Sequence, residues 1–214
     1  MDAFAAIAKS SAGADTSRPA LLLAPGPHGP DAVKAIAPGE GFVFLDSGAE
    51  RLNCASEKCT KVLGRAARLP FKSRSFSAVV GVEVLFAIRP PWTVIAELHR
   101  VLAPNGKLIL LEPAKSGLLS DFRARLVGPG RRIFALSDVK RRLERADFKV
   151  ISGEEMPPDG LFPYGTHVLV AEKVEFEAPP APAITTTREM RAKQKAHPGV
   201  EAPLSSDELS PGEA

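Results

Sequence analysis

A turn rich in glycine and an acidic residue twenty positions further on form a pair that could bind a nucleoside. Gly26 and Gly29 follow the apolar run Ala20–Ala24, and Asp46 closes the run FVFLD. In nucleotide-binding α/β folds, glycines let the backbone approach the ligand, and a carboxylate about 20 residues later holds the ribose hydroxyls. An Asp-Ser-Gly sequence also commonly starts a turn. The spacing therefore indicates either a ribose-binding carboxylate or a turn residue at Asp46.

Two prolines lie inside the same turn. Pro25 and Pro27 each fix φ near about −65° and remove a backbone N–H donor. Glycine is used in such loops because the backbone adopts angles or close approaches that side chains forbid. Two interpretations stay open: a rigid strand-to-helix connection without a ligand, or a variant ligand loop that uses Gly26 and Gly29.

The elements that would position these residues are short apolar runs separated by helical patterns. The clearest runs are Ala20–Ala24, Phe42–Leu45, Ala78–Val82, Leu108–Leu111 and Val168–Ala171. Runs of this kind are typical of strands buried on both faces of a parallel sheet. Because helical patterns alternate with them, we expect an α/β fold with a mostly parallel sheet.

Two helices are predicted from apolar residues at i, i+4 and i+7. In WTVIAELHRVL the apolar positions are Val94, Leu98 and Val101, and the following Ala-Pro-Asn-Gly predicts a stop. In SDVKRRLERADF the same spacing recurs, with Ser137 as the expected N-cap. The last two predicted strands, Phe148–Ser152 and Thr166–Lys173, have no helix between them, so they can pair antiparallel.

The stretch KVLGRAARLPFKSRSFSAVVGVEVL resembles the third and fourth strand region of class I S-adenosylmethionine (SAM) dependent methyltransferases of the small-molecule, type 11-like group. That family typically reads GDAxxLPFxxxSFDxV here. A second stretch, LHRVLAPNGKLILLEP, resembles the family pattern E-x-x-RVLKPGG-x-hhhxEP. The matching residues are Gly64, Ala66, Leu69, Pro70, Phe71, Ser75, Phe76, Glu97, Arg100, Val101, Leu102, Pro104, Gly106, Glu112 and Pro113.

The resemblance covers about Arg18 to Lys173 and implies a particular fold and site. The fold is a Rossmann-like, mostly parallel seven-stranded sheet with an antiparallel C-terminal strand and helices on both faces. The implied cofactor is SAM. The positions that the resemblance assigns to the cofactor are Gly26, Gly29, Asp46, Arg65, Ala66 and Glu83.

The chain departs from the family pattern at several cofactor positions. Leu23 stands where the first motif has an acid, Pro25 and Pro27 replace two of its glycines, and Arg65 replaces an aspartate that contacts the adenine amino group. Arginine has donors only, so Arg65 cannot accept that hydrogen bond, although it could bind a phosphate or carboxylate.

Three functions follow from these departures. The domain is either a degenerate, non-catalytic binding or scaffold module, an active SAM-dependent methyltransferase acting on a small molecule, or a domain that holds a different anionic ligand. The sequence assigns no catalytic residue and no metal ligands; His28, His99, Glu83 and Glu112 could act as a general base only if the fold brought them to the cofactor.

The chain divides into three zones. We expect a leader at 1–17 that is either flexible or forms a short helix over Phe4–Lys9, a methyltransferase-like domain at 18–174, and a disordered tail at 175–214 that is rich in Pro, Ala and charged residues. No run approaches a membrane span, and no signal-peptide pattern is visible. Cys54 and Cys59 are expected to be plain thiols, so a cytoplasmic location is predicted.

Positive charge is concentrated between residues 123 and 149, where nine Lys or Arg stand in a chain of formal net charge +3. Such a region, or the C-terminal tail, could dock a protein partner. Nucleic acid is a weaker candidate because few aromatic residues are present to stack on bases. A solvated helix face is the simplest alternative.

Overall fold

The structure is a computed structural model that describes residues 17–36, 41–114, 133–158 and 165–174. The predicted leader helix over Phe4–Lys9, the predicted tail at 175–214 and the first part of the basic region, residues 123–132, lie outside the described residues.

The described chain forms one seven-stranded sheet in the order β3-β2-β1-β4-β5-β7-β6. Neighbouring strands from β3 to β5 pair in parallel, whereas β7 runs antiparallel to both β5 and β6. The strands are β1 (Ala20–Leu23), β2 (Phe42–Asp46), β3 (Thr60–Leu63), β4 (Phe76–Val82), β5 (Leu102–Pro113), β6 (Phe148–Met156) and β7 (Thr166–Lys173). The predicted sheet and its antiparallel C-terminal pairing are confirmed.

Five helices connect the strands in the described part of the chain. They are α1 (Gly29–Ile36), α2 (Ala49–Leu52), α3 (Val84–Ala87), α4 (Pro91–Val101) and α5 (Leu136–Glu144). The expected stop after α4 is present, but the Ala-Pro-Asn-Gly segment lies inside the long strand β5, where Asn105 takes a positive φ of 58°. The expected N-cap at Ser137 is wrong. The N-cap is Ala135, two residues earlier, where the backbone is extended, so Ser137 lies in the first turn of α5.

Two apolar cores lie on the two faces of the sheet because successive strand residues point to opposite sides. Leu21 and Leu23 belong to one core, which includes residues of α3, α4 and α5. Leu22 and Ala24 belong to the other core, which includes Ala32 and Val33 of α1. Helices therefore cover both faces, and the central strand β4 is buried along its whole length.

One ion-pair network explains why the two family-like stretches occur together. Glu97 and Arg100, one helical turn apart on α4, pair at 2.8 Å. Glu97 accepts the Leu69 backbone N–H at 2.7 Å, while Arg100 donates to the carbonyl oxygens of Leu69 and Phe71 at 3.0 and 2.8 Å. The network anchors the Leu-Pro-Phe segment on α4, so these motif residues serve the fold.

Within the described residues, no helix combines the length and the apolar character that crossing a membrane requires.

Candidate functional site

A cavity of about 420 Å³ opens at the carboxyl ends of β1, β2 and β3. These ends meet at one edge of the sheet because the strands are parallel: Leu23 pairs with Leu45, and Asp46 pairs with Leu63. The volume falls within the roughly 300–1,000 Å³ of small-molecule sites. The lining residues are Leu23, Pro25, Leu45, Asp46, Ser47, Gly64, Arg65, Ala66, Ala67, Ile88 and Arg89.

Asp46 contributes a buried carboxylate to this cavity, and its two oxygens have different surroundings. Its Oδ1 accepts the Gly48 backbone N–H at 2.7 Å and the Nε and Nη2 donors of Arg51 at 2.9 and 2.7 Å. Its Oδ2 is buried and has no hydrogen-bond partner. Buried polar atoms are rarely left unpaired. Asp46 therefore forms a turn, one of the two roles that the sequence left open, and its Oδ2 remains an acceptor without a protein partner.

The glycine-proline turn contributes Pro25 to the cavity lining, but neither Gly26 nor Gly29. Instead, the two glycines allow close contacts inside the protein. A Cβ at Gly26 would overlap the Glu83 side chain, and a Cβ at Gly29 would overlap the carbonyl oxygen of Ala24. The turn is closed by a hydrogen bond of 3.1 Å from the Gly29 N–H to the Gly26 carbonyl. These contacts within the protein require glycine at both positions, and they involve no ligand.

Glu83 supports this turn from below. It follows β4 with left-handed backbone angles, φ 54° and ψ 29°, and its side chain is completely buried. Its Oε2 accepts the His28 backbone N–H at 2.9 Å, and its Oε1 lies 2.7 Å from His28 Nδ1. The two residues are 55 positions apart, so local spacing gave no signal for this contact. Glu83 therefore supplies a carboxylate that holds the turn.

Arg65 and Ala66 lie together at the other side of the cavity. Arg65 is exposed, whereas Ala66 is 8% exposed and packs into the core. A backbone bridge between Arg65 and Arg68, with a hydrogen bond of 3.0 Å from the Arg68 N–H to the Arg65 carbonyl, fixes this turn. Arg89, which the sequence did not single out, is a second arginine among the lining residues and lies in the segment after α3.

A row of ionisable side chains crosses the same edge further along the sheet. Strand register aligns Glu112 of β5 with His167 of β7, and His167 with Glu155 of β6. Burial raises the pKa of Glu112 to about 8, although the backbone N–H groups of Leu85 and Phe86 donate to its carboxylate, and the nearby Glu83 raises it further. Burial lowers the pKa of His167, and neither ring nitrogen of this histidine has a hydrogen-bond partner.

None of the four candidate bases lines the described cavity. Glu83 and His28 bond to each other, and Glu112 accepts backbone hydrogen bonds from α3. His99 packs edge-on against Phe148 with ring centroids 5.3 Å apart, and burial lowers its pKa. The cavity lining combines one acid, two arginines and several apolar residues.

The residues present fit the ribose of an adenosine ligand. The unpartnered Oδ2 of Asp46 is an acceptor for hydroxyl groups, and Leu23, Leu45 and Ile88 provide apolar surface around it. A nucleoside-sized cavity at the carboxyl ends of β1 to β3, in a sheet of this order, defines a class I methyltransferase-like domain.

Comparison with known proteins agrees with this architecture. Residues 29–110 match a family model described as a methyltransferase domain. The predicted resemblance to class I SAM-dependent methyltransferases is confirmed over these residues.

A curated relative and two solved structures illustrate the similarity. The 27-O-demethylrifamycin SV methyltransferase of Amycolatopsis mediterranei (strain S699) is 34% identical over 97 residues, which are 42% of this chain and 36% of that protein. The chain therefore spans about a third of that relative's length.

The two solved structures share the fold at lower identity. One is a chain of the complex between the Haloferax volcanii Trm112 methyltransferase activator and a methyltransferase, with a TM-score of 0.63 and 14% identity over 81% of this chain and 90% of that chain. The other is the Burkholderia thailandensis 1,6-didemethyltoxoflavin-N1-methyltransferase with bound 1,6-didemethyltoxoflavin and S-adenosylhomocysteine, with a TM-score of 0.56 and 20% identity over 81% and 79%.

Proposed function

We propose that this chain is a methyltransferase-like binding module that holds an adenosine-containing ligand without transferring a methyl group. The observation that carries the proposal is the buried, unpartnered Oδ2 of Asp46 in the wall of the cavity. A carboxylate oxygen in that position gains a hydrogen bond when a ribose hydroxyl arrives, and the rest of Asp46 is already held by Arg51 and Gly48.

The residues of the turn after β1 support the proposal that the domain transfers no methyl group. Leu23 provides no acid, Pro25 and Pro27 lack N–H donors, and the carboxylate of Glu83 is committed to His28. No candidate base lines the cavity among the described residues. The fold alone does not require methyl transfer, because function depends on the site that a fold carries.

The second candidate is an active methyltransferase that uses SAM to methylate a small molecule. It is favoured by the name of the Amycolatopsis relative and by the S-adenosylhomocysteine bound in the Burkholderia structure. The two functions differ in one measurable respect, since only the active enzyme consumes SAM when an acceptor is supplied.

The binding proposal is tested by calorimetric titration with S-adenosylhomocysteine, which compares the affinity of the natural chain with that of Asp46→Asn. The substitution preserves a carbonyl oxygen for Gly48 and Arg51 and replaces the unpartnered Oδ2 with a donor. We expect binding to weaken by about 10- to 100-fold, because a hydrogen bond to a charged group contributes about 1.5–3 kcal/mol.

Ser47→Ala is the matched control, because Ser47 also lines the cavity but is exposed and adjacent to the acid. It should bind as the natural chain does. Equal affinity in the natural chain and Asp46→Asn, with both proteins folded, would exclude the proposed role of Asp46. Turnover of SAM with any acceptor in a small-molecule panel would favour the active enzyme instead.

A protein partner is also proposed, through the basic region 123–149 or the tail at 175–214. The complex with the Trm112 activator supports this, since a protein of similar fold was solved with a partner. Within the described part, several basic side chains of α5 already have contacts. Arg142 stacks on Trp92 at 3.8 Å, Arg141 pairs with Asp138, and Lys140 donates to Gly153 O at 3.1 Å. A cytoplasmic location stays a prediction from the sequence.

A further inference from the structure

Charge is unevenly distributed around the cavity. One acid and two arginines line it, and the Oδ1 of that acid, Asp46, already pairs with Arg51 outside the lining. Within the described residues no carboxylate forms an ion pair with Arg65, whose backbone is fixed by the bridge to Arg68. A guanidinium at the edge of a cavity is a donor group suited to a phosphate.

Asp46 is the one acid among the described residues that line the cavity. Leu23 is apolar, and Glu83 is buried beneath the turn with both oxygens close to His28. SAM carries a sulfonium and an ammonium group against one carboxylate, so its net charge is positive. A like charge near Arg65 opposes its binding, whereas a ligand with a negative charge is attracted.

We propose that the cavity binds a nucleoside phosphate in preference to SAM, with Arg65 donating to the phosphate and Asp46 accepting from the ribose. This inference rests on the proposed nucleoside-binding function. Arg65 replaces the family's aspartate and cannot accept a hydrogen bond from the adenine amino group. Because its side chain has only donors, it can instead donate to an anion.

Calorimetry with adenosine and adenosine 5′-monophosphate (AMP), at low and at physiological salt, tests this assignment. We expect AMP to bind about tenfold more tightly than adenosine at low salt, with a smaller ratio as salt rises because exposed charges are screened. Arg65→Gln should remove the preference, so that AMP and adenosine bind with similar affinity. Arg68→Gln is the matched control, since Arg68 is exposed in the same turn but does not line the cavity.

The outcomes separate this inference from the proposed function. If adenosine binds in an Asp46-dependent manner but AMP is no tighter, or if Arg65→Gln keeps the AMP preference, the phosphate assignment is overturned and the nucleoside site stands. If neither compound binds to the folded chain, both proposals fail. SAM binding more tightly than AMP would also overturn the phosphate assignment.

Discussion

Replacing Gly26 with alanine is expected to lower the free energy of unfolding by about 3 kcal/mol, because overpacking a filled site costs roughly that much. The new Cβ would overlap the Cβ and Oε2 of Glu83 and lie 2.7 Å from its Cδ. Relief requires the turn to move away from β4, which breaks the hydrogen bonds between Glu83 and His28. Urea unfolding followed by circular dichroism measures the loss.

Two further variants make this result specific. Gly48→Ala is the control, since a Cβ there meets nothing closer than 3.5 Å and φ is −109°, and it should cost less than about 1 kcal/mol. In a Glu83→Gly background, Gly26→Ala should become much cheaper, because the overlapping side chain is gone and glycine accepts the positive φ. Additive losses in the double variant would show that the two residues do not share this contact.

The sheet was largely predictable from the sequence because its strands are buried on both faces. A continuous apolar run such as Ala78–Val82 is typical of a strand covered on both sides, and the central strand β4 follows from that run. Strand β3 is different: Thr60–Leu63 is a four-residue edge strand with an exposed Leu63, so run length alone does not reveal it, and only the family resemblance indicated a strand there.

The site was predictable where local motifs determine it. Asp46 ends β2, and Arg65 and Ala66 follow β3, so all three line the cavity, but their assignment to a cofactor stays a prediction. Gly26, Gly29 and Glu83 lie instead beneath or within the turn, and their assignment to a cofactor stays a prediction. The link between Glu83 and His28 joins residues 55 positions apart, so it depends on strand order and not on spacing.

The natural chain is expected to lose much of its stability as the pH becomes alkaline, and Glu112→Gln is expected to abolish this loss. Burial raises the pKa of Glu112 from 4.5 to about 8, so between these values the folded state holds a proton that the unfolded state has released. The stabilisation from this group is complete below about pH 4.5 and is lost as pH rises through about 8, by roughly 5 kcal/mol at most. Glutamine cannot ionise, so the variant should not lose stability in this way.

Urea unfolding at about pH 5, 7 and 9 distinguishes the two proteins. At the lowest pH, Glu112→Gln should be less stable by about 1 kcal/mol, because its amide group replaces one acceptor of the α3 backbone N–H groups. Near pH 9 the order should reverse.

Other titrating groups do not obscure this comparison. Burial lowers the pKa values of His99 and His167, so both cost stability as pH falls below about 6.5, equally in the two proteins. Glu154→Gln is the control, since Glu154 is exposed on β6. A constant difference between Glu112→Gln and the natural chain across this pH range would mean that Glu112 is already ionised in the folded state. The two backbone donors from α3, and not burial, would then control its protonation.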